Sequence, residues 1–90
     1  MLVRMSEPTL RELKSQAQLL KPAIKLGKAG ATPEFLAEFD KLLAKGALVK
    51  LRFEGFKDER KPLSRELAAK LGATLVQQVG HTAVYFRKAD

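Results

Sequence analysis

An α/β domain is predicted by three observations on this 90-residue chain. Helix-like and strand-like hydrophobic periods alternate, Pro and Gly punctuate the changes, and only the last two strand-like runs follow one another directly. The order is therefore α-β-α-β-α-β-β. Two strand-helix-strand crossovers, right-handed by rule, make the first three strands parallel and place the second and third helices on one side. The closing hairpin adds an antiparallel strand. The expectation is a mixed four-stranded sheet in two layers with a face or edge left for a partner, the position of the first helix being unspecified. Residues 1–90 make one domain, with 1–7 expected to be flexible.

Each element has its own local cause. Thr9-Leu10-Arg11-Glu12 has the spacing of a capping box, and Leu10, Leu13, Ala17 and Leu20 continue at helical spacing, which predicts a helix over about 9–19. Pro22 stops it, and Ala23 to Leu26 reads as a short strand. A second helix starts after Thr32, with Phe35, Leu36, Phe39, Leu42 and Leu43 on one stripe and Gly46 as its C-terminal cap. Leu48 to Glu54 is the clearest strand, because Val49, Leu51 and Phe53 alternate with Lys50, Arg52 and Glu54, one face buried and the other wet. After a turn at Gly55–Lys57, the third helix begins at Asp58 or at Ser64, since Pro62 is tolerated only in a first turn. Leu63, Leu67, Ala68 and Leu71 form its stripe and Gly72 closes it. Thr74–Val79 and Thr82–Arg87 are strands joined at Gly80-His81, a tight hairpin.

The stretch Leu26-Gly27-Lys28-Ala29-Gly30-Ala31-Thr32-Pro33 joins the first strand to the second helix. Without Cβ atoms, Gly27 and Gly30 can take positive φ and let a bulky ligand approach. Thr32 is a good N-cap and Pro33 suits the first helical position. The free N–H groups of that helix end would then lie beside Lys28, an anion site with one added cation. A nucleotide-binding P-loop does not fit, because Gly27 to Thr32 lacks its spacing and its Lys-Ser/Thr pair.

Charge selects among function classes. Seventeen Lys and Arg against ten Asp and Glu give a net charge of +7, which favours a polyanionic partner, nucleic acid first. There is no cysteine, so disulfides, thiolate zinc sites and cysteine nucleophiles are excluded. Residues Met1 to Pro8 lack the apolar core of a signal peptide, and no run reaches membrane-spanning length. A soluble, cytoplasmic monomer is expected. Catalysis has little support: His81 is the single histidine, and Ser6, Ser15 and Ser64 have no credible base. The pairs Asp58-Glu59 and Glu34/Glu38 fit helix N-terminal charge placement. No enzyme activity, metal or cofactor is expected.

Leu20-Lys21-Pro22, Leu26-Gly27-Lys28-Ala29-Gly30, Leu48-Val49-Lys50, Lys57-Asp58-Glu59 and the run from Val76 to Arg87 occur together in order and spacing. As a set they resemble the CRM domain, the chloroplast RNA splicing and ribosome maturation domain, in its stand-alone bacterial YhbY-like form. The resemblance covers about Ser6 to Lys88. It implies a fold similar to the C-terminal domain of translation initiation factor three and binding of RNA, ribosomal RNA of large-subunit precursors in particular. It also implies that Gly27, Lys28, Ala29 and Gly30 look like the loop that KH domains place on RNA backbone. His81 stands where the family often has a basic residue.

The residues support that chemistry independently, since small residues, backbone donors and a lysine suit a sugar-phosphate chain. Lys25, Lys50, Arg52 and Arg87 are expected to add sequence-independent attraction. If the second and fourth strands are neighbours, Tyr85 and Arg87 would join Lys50 and Arg52 in a basic face with an aromatic for stacking. For Tyr85, a half-packed residue on a solvated face is the equal alternative. Arg60, Lys61, Arg65 and Lys70, with Arg11, Lys14 and Lys21, read as solubilising charges, although Lys57, Arg60 and Lys61 could lie near one sheet end. A basic protein–protein interaction module is the alternative function.

Overall fold

The computed structural model describes residues 9–45 and 48–87. The expected order is present: α1 (Leu10–Ala17), β1 (Ile24–Leu26), α2 (Pro33–Ala44), β2 (Leu48–Phe53), α3 (Arg60–Leu71), β3 (Thr74–Val79) and β4 (Thr82–Phe86). The predicted flexible start and the Gly46 cap lie outside the described residues. In space the strands run β1-β2-β4-β3. β1 is parallel to β2, with Lys25 opposite Arg52; β4 is antiparallel to both β2 and β3. β3 thus shares the direction of β1 and β2, as right-handed crossovers require.

The two-layer expectation is corrected, because both faces of the sheet are covered. On one face α2 and α3 bury Phe39, Leu43 and Leu67 against Ile24, Leu26, Val49, Leu51, Phe53, Ala83 and Tyr85. On the other, α1 buries Leu13 and Ala17 against Val76 and Val84, with Leu20, Leu48 and Phe86 at the margin. Alternation separates these sets, since successive side chains of a strand point to opposite faces. The eight-residue α1 covers only part of its face.

Local chemistry sets the helix boundaries. At α1 the Thr9 hydroxyl accepts from the Glu12 N–H at 3.2 Å while the Glu12 carboxylate accepts from the Thr9 N–H at 2.7 Å, the predicted capping box. α3 starts at Arg60, between the two expected positions, with Pro62 inside its first turn. Its end at Gly72 has φ +62, and the Gly72 N–H reaches the carbonyls of Ala68 and Ala69. Ser64 is fully buried on this helix; its hydroxyl donates to the Arg60 carbonyl at 2.7 Å.

Candidate nucleic-acid interface

The parallel strands β1 and β2 end side by side, and the Glu54 N–H donates to the Leu26 carbonyl at 3.0 Å. The Phe53 N–H donates to the His81 carbonyl at 2.7 Å, which brings the β3–β4 hairpin to the same edge. Three connections therefore meet at one end of the sheet: the glycine loop after β1, the Gly55–Lys57 segment after β2, and Gly80-His81. Ligand sites of open α/β sheets commonly lie outside the C-terminal ends of the parallel strands.

The glycine loop is a hydrogen-bonded turn. The Gly30 N–H donates to the Gly27 carbonyl at 2.9 Å, leaving Lys28 and Ala29 at the exposed tip. Gly30 has φ +78, a conformation that L side chains rarely adopt, so glycine is required there by the turn itself. Gly27 differs from expectation: its φ is not positive, and a Cβ built on it would meet nothing within 4 Å. The fold does not need glycine at 27. Its small size leaves open space in front of the main chain, next to an exposed lysine.

The helix end contributes less than expected. The Thr32 hydroxyl accepts from the Phe35 N–H at 3.1 Å, the Leu36 N–H donates to the Thr32 carbonyl, and Pro33 has no N–H to offer. Glu34 also places a carboxylate in this first turn. At the exposed tip, the N–H groups of Lys28 and Ala29 have no main-chain acceptor among the described residues.

The other predicted cations divide into two groups. Lys25 and Arg52 are exposed, in register on adjacent strands, and so share one face beyond the reach of α1. Lys25 lies 3.9 Å from Glu54, a solvated pair that leaves its charge largely available. Lys50 is not on a wet face. Its Nζ donates to the carbonyls of Leu20 at 3.1 Å and Ala17 at 3.4 Å, closing the C-terminal end of α1, where a cation is favoured. Arg87 is likewise engaged within the fold. Its Nη1 donates to Asp40 Oδ1 at 2.6 Å and to the Leu71 carbonyl at 2.9 Å, and its Nη2 to the Asp40 carbonyl at 3.0 Å, joining the end of β4 to α2 and α3.

The combined basic and aromatic face does not form. Tyr85 is opposite Val49, on the α2–α3 side of the sheet, whereas Lys50 is opposite Val84 on the α1 side. Tyr85 is 0% exposed, its hydroxyl donates to the Ser64 carbonyl at 3.1 Å, and its ring meets Phe39 edge to face at 5.0 Å between centroids. Burial pushes its phenol up to about 12. Arg60, which reads from sequence as solubilising, holds the β2–α3 connection in place, its Nε donating to the Gly55 carbonyl at 3.2 Å. A basic residue shortly after a glycine turn is too common a pattern to reveal that contact in advance.

With this geometry in place, the family is clear. The CRS1/YhbY (CRM) domain model matches residues 5–87, and the chain belongs to that family. It is 33% identical over 79 residues to the probable RNA-binding protein PA4753 of Pseudomonas aeruginosa, covering 87% of this chain and 76% of that one. In structure it is similar to SAV1595 of Staphylococcus aureus, a candidate RNA-binding protein solved in solution. That match has a TM-score of 0.76 and 28% identity, covering 90% of this chain and 85% of the other.

Proposed function

We propose that the protein is a non-catalytic RNA-binding module that grips RNA backbone with the turn Gly27-Lys28-Ala29-Gly30. The observation that carries this reading is the Gly27 position: glycine where the fold has no need of it, with open space before it and an exposed lysine beside it. Backbone N–H groups at Lys28 and Ala29 supply donors to phosphate oxygens, and Lys28 supplies charge. Lys25 and Arg52 extend attraction along the uncovered part of the α1 face. Lys50 and Arg87 are left out of the contact set, since breaking their internal hydrogen bonds would cost stability.

The RNA-binding description of the Pseudomonas aeruginosa relative and the net charge of +7 support the same partner class. The substrate we infer is ribosomal RNA in precursors of the large subunit, met in the cytoplasm by a monomer. Crosslinking in growing cells followed by sequencing of bound RNA tests this. Large-subunit ribosomal RNA should dominate the recovered fragments. Recovery of protein partners that persist after nuclease treatment, with no enriched RNA, would instead favour a protein-interaction module.

A further inference from the structure

The connection after β2 repeats the connection after β1. In the glycine loop the Gly30 N–H donates to the Gly27 carbonyl at 2.9 Å; in the next crossover the Glu59 N–H donates to the Phe56 carbonyl, also at 2.9 Å. Each is a four-residue turn closed by one main-chain bond, and each has lysine at its second position, Lys28 in one and Lys57 in the other. Each leads into a helix on the same face of the sheet. The strands that feed them are parallel neighbours, bonded to one another at Leu26 and Glu54 immediately before the chain leaves the sheet. Adjacent strands lie about 4.8 Å apart, so the two turns emerge as neighbours along one edge.

The second turn is held in place at some conformational expense. Phe56 has φ +57, the only non-glycine residue with positive φ among those described, and its partly buried ring packs against the main core. A left-handed conformation costs about 1–2 kcal/mol for a residue with a side chain. Core packing of Phe56 and the Arg60 bond to the Gly55 carbonyl keep the segment in this conformation. What the arrangement presents outward is Lys57, exposed.

We propose that Lys57 is a second RNA-backbone contact, acting with Lys28 as a pair of turn-borne lysines that engage phosphates of the same RNA segment. The proposal rests on the RNA reading of the glycine turn, but it can fail separately. The turns are not equivalent in chemistry. The first has open glycines and admits close approach of the main chain, whereas the second carries Asp58 and Glu59, whose carboxylates keep phosphate away from its backbone. Lys57 therefore contributes through its long side chain and as charge alone. It adds affinity and salt dependence without adding shape selectivity.

The test uses the full chain and a labelled RNA hairpin with a uridine-rich loop, titrated by fluorescence anisotropy over a series of KCl concentrations. Lys57→Ala should weaken binding several-fold and lower the slope of log K against log salt by about 0.7–0.9, the contribution of one phosphate contact. Lys57→Arg should retain both. Lys45→Ala removes the same charge from the C-terminal end of α2 and should change the slope by much less. Equal losses for Lys57→Ala and Lys45→Ala would overturn the proposal in favour of diffuse attraction. An unchanged Lys57→Ala would overturn it as well; a simultaneous loss in Lys28→Ala would then leave the glycine turn standing as the sole grip.

Discussion

Residues of one chemical type have opposite roles here, and burial decides which. Lys28 and Lys50 are both lysines next to a helix terminus, yet Lys50 donates to two carbonyls at the end of α1 while Lys28 projects from a turn. Lys50→Met keeps the aliphatic stem and should lower stability by about 1–2 kcal/mol through loss of those charge-assisted bonds, readable in urea unfolding. Gly27 and Gly30 divide in the same way. Gly30→Ala forces a side chain into positive φ and should cost about 1 kcal/mol, whereas Gly27→Ala should change stability by less than about 0.5 kcal/mol. Tyr85 gives the chain an alkaline limit. Its folded-state phenol is raised from 10.0 to about 12, so the native state holds the proton more tightly than the unfolded chain. Its stabilising contribution is complete below pH 10 and is lost as pH rises toward 12. Tyr85→Phe should remove that part of the decline, measured as the difference between the two unfolding free energies across this range.

At the scale of elements, much of the fold is legible in the sequence because period, cap and breaker agree. The capping box at Thr9, the Thr32-Pro33 start of α2 and the alternation of β2 each rest on nearest neighbours in the chain. Which element covers which face is not legible there. Lys50 and Arg52 have the same alternation, and only the return of α1 across the sheet, set by the tertiary path at Leu20–Pro22, separates a covered lysine from a free arginine. Tyr85 is ambiguous in sequence for a related reason, since β4 lies between two strands and is 0% exposed at Ala83, Val84 and Tyr85. A central strand covered on both faces has no wet side to display. Arg87 marks where that strand meets both helices. Arg87→Lys cannot reproduce the forked contacts to Asp40 and the Leu71 carbonyl, and a loss of about 1–2 kcal/mol is expected by thermal unfolding, reduced by the partial exposure of the pair.

For the whole molecule, the consequence is a division of its positive charge between work inside the fold and work outside it. Lys50, Arg60 and Arg87 satisfy carbonyls and join layers; Lys25, Lys28, Arg52 and Lys57 remain exposed on and around the sheet end where β1 and β2 finish. The glycine turn presents Lys28 and Ala29 at an exposed tip of that end, and it is the central element of the RNA reading. Gly27→Asp tests it most directly, since the site has room for the side chain and the substitution places bulk and negative charge where phosphate would lie. Anisotropy titration of the RNA hairpin, with urea unfolding as the control for folding, should show affinity reduced by on the order of tenfold or more, about 1.4 kcal/mol, at nearly unchanged stability. Wild-type affinity in a fully folded Gly27→Asp protein would contradict the assignment.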